Sequence, residues 1–256
     1  MRTLLVGRVY RGLPDAHAFA GVRFGELILR DPLPRRQTLV RWRAGLPAQL
    51  ALALRAPQSA LESAQGPLRL TPGLLEAMRW TETASDALQA VAIILRTSAR
   101  LTPGARGRER FRRYAEQLPN REQRNYVWVP GGLWEPDVAY WLAASLGLSC
   151  AFDPMEWPEP PQRGAFARLP ALGARAGLGE EVLSKFLQAV AKLQSSDTLY
   201  TVVEGVDSNR PIARLQQLAD SGLWTPDSPS SALQVRADGG TSDHPPAIGP
   251  GRGDGS

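Results

Sequence analysis

The chain has 256 residues, 43% of them hydrophobic and 21% charged, with a formal net charge of +5. These values describe an ordinary globular composition, and no apolar run approaches the roughly 18 residues of a membrane span. The two histidines, His17 and His244, and the single cysteine, Cys150, leave almost no material for a His-based metal site or a Ser-His-Asp triad.

Eight short apolar runs follow one another along the chain. In order they are TLLVGRVY (3–10), VRFGELILR (22–30), QLALALRA (49–56), VAIILRT (91–97), NYVWVP (125–130), LSCAFD (148–153), AFARLP (165–170) and TLYTVVEG (198–205). Helical patterns separate most of them: QTLVRWRAG, TPGLLEAMRWTETASDALQA, PGARGRERFRRYAEQL, EPDVAYWLAASLG, LGEEVLSKFLQAVAKLQ and RPIARLQQLADSG. Thr71-Pro72 and Glu135-Pro136 mark helix starts, and Gly147 and Gly222 mark ends. Eight strands buried on both faces, each returning through a helix, predict a closed parallel (β/α)8 barrel of the TIM type. An open doubly wound sheet is the alternative. Only RGLPDAHAFAG lies between the first two strands, so an abbreviated first crossover is expected. From about Trp224 the texture turns to Pro, Gly, Ser and Asp, which reads as a disordered tail over 224–256 after a barrel domain over 1–223.

Several strand candidates end in arginine. Arg8, Arg30, Arg55, Arg96 and Arg168 stand at the C-terminal ends of five of them, and in a barrel those ends open on one face. Like charges brought together need carboxylates or a bound anion. Asp31, Asp153, Glu204 and Asp207 are the carboxylates at that level. Two readings stay open: a rim that binds a small anion through guanidinium forks, or arginines that pair with those acids and close the mouth without a ligand.

Other features have plain structural readings. Arg106, Arg110 and Arg113 recur at i, i+4 and i+7, opposite Phe111 and Tyr114, which reads as a solvated basic helix face before it reads as a nucleic-acid footprint. Nearly all the basic residues are arginine, Lys185 and Lys192 being the only lysines, so the positive balance alone says little about nucleic acid. The sequence VPGG at 129–132 lacks phosphate-loop spacing. Trp128, Trp134 and Trp157 supply either a stacking wall or core caps. Cys150, with no His near it in sequence, reads as an inert thiol. The N-terminus lacks the pattern of a secretory signal, and the expected compartment is the cytoplasm.

Along the same strands the chain resembles the domain of unknown function 72 family, the YecE-like proteins. That family's pattern runs F-x-x-V-E-x-N-x-T-F-Y, T-x-x-x-W, K-A-P, V-E-F-R-H-x-S-W, an acid-ended strand, V-R-x-H-G, and a strand followed by N-x-x-x-x-x-N-A. Here FAGVRFGELILRDP, TLVRW (38–42), RAP (55–57), VWVPGGLW (127–134), AFDP (151–154), ARLP (167–170) and VVEGVDSNRPIARLQQLA stand in those places. The resemblance spans nearly all of 3–222 and implies a TIM-type barrel without implying a chemistry. Arg55, Asp153, Arg168, Trp134 and Asn209 carry over. Arg23 and Gly25 stand in the places of the family's acid and asparagine, Leu27, Ile28 and Leu29 replace T-F-Y, Trp128 and Gly131 replace Glu and His, and Pro170 replaces the second His.

The sequence thus points to a non-catalytic or catalytically degraded barrel whose pocket prefers anions. Ligand binding is expected from Arg8, Arg30, Arg55, Arg96, Arg168, Trp128 and Asn209. No metal and no cofactor are called for. The alternative is a hydrolase or isomerase acting on a phosphorylated or sugar-like substrate, with Asp153 and Glu204 as acid and base. Nucleic-acid binding is the less favoured third reading.

Overall fold

Alternating β-rich apolar runs and amphipathic helices resolve into ten strands and six α-helices in the computed structural model, which describes residues 3–156, 166–170, 180–191, 198–206 and 209–221. The chain divides into a compact unit, Met1–Pro226, and a second unit, Asp227–Ser256. The second unit, and with it the tail expected over 224–256, lies outside the described residues, as do Trp157, Lys192, Asp207, Gly222 and His244.

In chain order the strands are β1 (Thr3–Arg11), β2 (Phe24–Ile28), β3 (Ala51–Arg55), β4 (Glu62–Ser63), β5 (Gly66–Pro67), β6 (Ala92–Arg96), β7 (Tyr126–Val129), β8 (Ser149–Cys150), β9 (Phe166–Leu169) and β10 (Thr198–Val203). The helices are α1 (Arg36–Ala44), α2 (Pro72–Leu88), α3 (Ala105–Glu116), α4 (Pro136–Ser145), α5 (Glu180–Ala191) and α6 (Arg210–Asp220). Eight strands form one parallel sheet in the order β8-β7-β6-β3-β2-β1-β10-β9. A parallel bridge between Phe152 and Ala167 joins its two ends. The Phe152 N–H donates to the Phe166 carbonyl at 3.3 Å and the Arg168 N–H to the Phe152 carbonyl at 2.8 Å. The sheet therefore closes into a barrel. All eight expected strands are present, and β4 and β5 add a small antiparallel hairpin that the sequence reading did not contain.

Period-two alternation sorts each strand into two faces. Phe24, Ala53, Ala92, Ile94, Val127, Val129, Phe166 and Val202 form the barrel interior, with Leu5, Val9 and Tyr200 against them. The intervening positions face the helices: Leu50, Leu52 and Leu54 pack with Leu39 and Leu88, and Ile93, Leu95, Tyr126 and Trp128 pack with Phe111 and Tyr140. The Thr71 hydroxyl accepts the Leu74 N–H at 3.3 Å and caps α2, with Pro72 in its first turn.

The first crossover is short, as expected. It holds one 3-10 turn, Ala16–Phe19, and β2 pairs with β1 only from Gly7 onward. Below that point the β1 edge would be unpaired. Buried Gln216 of α6 takes the missing strand's role: its side-chain oxygen accepts the Val6 N–H at 2.9 Å, and its amide donates to the Leu4 carbonyl at 2.9 Å. A side chain thus satisfies two buried backbone groups where the chain is too short to supply a ladder.

Candidate functional site

The C-terminal ends of the strands carry a connected set of charges. Glu26 occupies an interior position of β2, two residues beyond Phe24, and is fully buried. Arg55 ends β3 on the same side as Ala51 and Ala53, and its Nε donates to Glu26 Oε1 at 2.6 Å. Arg168 follows Phe166 inward on β9; its Nη1 donates to Glu26 Oε2 at 2.7 Å and its Nε to Glu204 Oε1 at 2.7 Å, with Nη2 also on Glu204. Arg96, at the end of β6, donates from Nη1 to Glu204 Oε1 at 3.0 Å. The web runs from β3 and β2 through β9 to the residue after β10 and on to β6, so it ties walls that are not neighbours in the sheet.

Burial and charge pairing act against each other in this cluster. Burial opposes the charge of Arg168, but Glu26 and Glu204 outweigh it and raise the arginine's pKa. Burial likewise pushes the Glu204 carboxyl up, and Arg168, Arg96 and Arg55 together bring it below its ordinary value. For Arg55 burial prevails over Glu26, and the pKa is lowered. Among the described residues, the web sets three guanidiniums against two carboxylates.

Exposure grades across the web. The side chains of Glu26, Arg168, Arg55, Glu204 and Arg96 are 0, 9, 16, 26 and 45% exposed. Arg96 is thus the most exposed member of the web, and among the described residues its one side-chain hydrogen bond goes to Glu204.

Three of the five strand-end arginines meet here, and two do not. Arg8 shares its side of β1 with Leu4, Val6 and Tyr10, whose side chains face the helices. Its Nε donates to Asn209 Oδ1 at 2.8 Å and its guanidinium lies 4.4 Å from the centre of the Tyr10 ring. Asn209, the residue before α6, also accepts from the Tyr10 hydroxyl at 3.2 Å and donates to the Ala18 carbonyl at 2.7 Å. Arg8 and Asn209 thus brace the short first crossover against α6 rather than line the mouth. Arg30 lies exposed two residues beyond β2 and has no ion-pair partner among the described residues.

Trp128 is wholly buried on the helix side of β7, 4.2 Å from Phe111 and 4.9 Å from Trp134 between ring centres, with its indole N–H on Thr97 Oγ1 at 3.0 Å. It is a core residue and offers no stacking wall to a ligand. Gly131 lies against the loop after β6, and a Cβ there would stand 2.2 Å from the Thr97 carbonyl oxygen, so the backbone leaves no room for a side chain at that place. Arg23, at the place of the family pattern's acid, is exposed and pairs with Asp220 at 3.0 Å; the buried carboxylate of β2 is Glu26. Glu26 is the site residue the sequence reading missed. A lone carboxylate within an apolar, doubly buried strand was the available signal, because such a group persists only when paired.

Asp153 sits apart. Its Oδ1 accepts the Met155 N–H at 2.8 Å, and it lines a cavity of about 140 Å³ with Trp134, Cys150, Phe152 and Glu156. Burial raises its pKa above the ordinary aspartate value. Burial also pushes the Cys150 thiol up to about 12. Among the described residues no group of three His, Cys, Asp or Glu side chains is placed to hold a metal ion, and no helix is long and apolar enough to cross a membrane.

Comparison with solved structures places this architecture. A domain of unknown function 72 family protein from Enterococcus faecalis V583 superposes with a TM-score of 0.56 at 10% identity, over 87% of this chain and 98% of that one. A second crystal structure of the same Enterococcus protein gives a TM-score of 0.55 at 7% identity over 87% and 95%. The chain has the fold of a domain of unknown function 72 protein. Endonuclease IV from Thermus thermophilus is similar to the same degree, with a TM-score of 0.55, 12% identity, and coverage of 86% and 98%. At these identities the likeness is one of fold. No family model and no curated protein matches the sequence.

Proposed function

We propose that the C-terminal mouth of the barrel binds a small anionic ligand, with Arg96 as the first contact, and that the protein is a binding or catalytically degraded relative of a barrel enzyme. The observation that carries this reading is that, among the described residues, the web holds three guanidiniums against two carboxylates and that Arg96 is the most exposed of the five. Arg55, Arg168 and Glu26 hold the floor in place, and an incoming phosphate, sulfate or carboxylate would compete with Glu204 for the Arg96 fork. Glu204 itself suits proton transfer poorly, since its cationic neighbours keep it ionised.

The test is a thermal-shift and calorimetric screen at low salt with phosphorylated sugars, nucleotides and short oligonucleotides. Monophosphorylated sugars are expected to raise the melting temperature, and Arg96→Gln is expected to abolish that rise. Indifference to every anion would overturn the reading.

One observation favours a second reading, that of a hydrolase. Asp153 is a carboxyl whose burial raises its pKa, as general acids require, and the Thermus neighbour is named an endonuclease. Turnover of a phosphate ester that disappears in Asp153→Asn would support it; equal rates in the two proteins would remove it.

A further inference from the structure

A second cationic feature lies on the helix layer, and the mouth does not use it. The hairpin β4–β5 and the loop that follows it face α3 across a groove of about 410 Å³, lined by Gln65, Leu68, Arg69, Arg106, Arg110 and Arg113, with Leu70 and Glu109 beside them. The walls of this groove are held together. The Tyr114 hydroxyl donates to the Ala60 carbonyl at 3.0 Å, Arg100 Nη1 pairs with Glu62 at 2.7 Å, and Arg110 Nη1 reaches the Pro67 carbonyl at 3.4 Å.

The charges in it do not balance. Glu109 is occupied by Arg113 at 2.8 Å and Arg112 at 3.2 Å. Among the described residues, no carboxylate is paired with Arg69, Arg106 or Arg110. Arg69 and Arg110 come from opposite walls and oppose each other's charge: desolvation and then the Arg69 cation lower the Arg110 pKa. The three α3 arginines lie on one helix face, and at about 1.5 Å of rise per residue they span roughly 10 Å along its axis. No acid stands in the first turn of α3, so the positive end of the helix dipole adds to the same field.

We propose that this groove is an anion site separate from the barrel mouth, and that it takes an oligophosphate group, a short chain of linked phosphates. A linear row of guanidiniums facing a fourth from the opposite wall suits charges strung along a chain better than one isolated ion. The aromatic side chains of α3, Phe111 and Tyr114, are wholly buried and give a nucleobase nothing to stack on, so the groove reads phosphate rather than base. Its volume is that of a small-molecule site.

Calorimetry on the full chain at low ionic strength, with orthophosphate, pyrophosphate, tripolyphosphate and a single-stranded oligonucleotide as titrants, tests this. Affinity is expected to climb from orthophosphate to tripolyphosphate. Arg110→Gln and, separately, the exposed Arg69→Gln are each expected to weaken the tighter tripolyphosphate step about tenfold or more, while Arg96→Gln removes only the weaker phosphate step that belongs to the mouth. Arg69→Gln keeps the test sound if loss of the Pro67 bond disturbs folding in the Arg110 variant. The proposal is overturned by no heat with any phosphate, by equal affinity for one phosphate and three, by tighter binding of the oligonucleotide than of tripolyphosphate, or by loss of binding only in Arg96→Gln. That last outcome would assign the anion to the mouth instead, so the two sites fail independently.

Discussion

Glu26 is the residue on which the mouth depends. It is fully buried and bonded to two guanidiniums, so its replacement leaves Arg55 and Arg168 facing each other with a charge removed between them. Breaking a buried pair from one side typically costs about 3–5 kcal/mol. Glu26→Gln, which preserves shape, is expected to lose on the order of 3 kcal/mol in a urea titration, whereas Arg23→Gln at an exposed pair should lose well under about 1 kcal/mol. Glu204 sets the acid response. Its folded-state pKa lies below the ordinary 4.5, so the folded protein binds its proton less readily than the unfolded chain. The stability it contributes is complete above that ordinary value and drains away as pH falls through the folded pKa. Urea midpoints measured from about pH 6 downward should fall less steeply in Glu204→Gln than in the parent. The sequence made part of this legible: arginines at strand ends did converge, but parity did not show. In a barrel both faces of a strand are apolar, so Arg8 and Arg55 look alike in sequence although one faces the helices and the other the lumen.

At the scale of elements, two helical glycines separate local propensity from packing. Gly73, in the first turn of α2, has no atom within 4 Å of where a Cβ would stand. Gly107, in α3, would place that Cβ 1.8 Å from the Thr102 carbonyl oxygen. Propensity alone favours alanine over glycine by about 0.5–1 kcal/mol at both. Gly73→Ala is therefore expected to raise the melting temperature, and Gly107→Ala to lower it, because the loop before α3 must move. A gain at both positions would show that the loop yields freely. The helices themselves were readable from punctuation and period. The hairpin β4–β5 was not, since two-residue strands carry too little alternation to register, and with it the second wall of the α3 groove stayed hidden. The basic face at Arg106, Arg110 and Arg113 was visible in the sequence; its partner Arg69 belongs to another element and only the fold brings it near.

Across the whole molecule the barrel is unevenly laced. The β1 and β10 ladder runs unbroken from Thr3 opposite Thr198 to Arg8 opposite Val203, and β1 with β2 from Gly7 opposite Phe24 to Arg11 opposite Ile28. On the far side β8 contributes only Ser149 and Cys150 to its ladder with β7, and a single bridge at Phe152 joins it to β9. Opening free energies follow such differences, because a segment with few buried backbone bonds opens without unfolding the rest. Hydrogen exchange should therefore find the amides of β1, β2 and β10 slowest, and those of Ala151, Phe152 and Arg168 faster by a wide margin. The charge web anchors one flank of this seam, since Arg168 of β9 is bonded to Glu26 on β2 and to Glu204 after β10. Glu26→Gln should then speed exchange at the seam more than at β1, even after both are scaled to global stability. Uniform acceleration around the barrel would mean that the charges stabilise the fold as a whole and that the seam is held by its neighbours' packing alone.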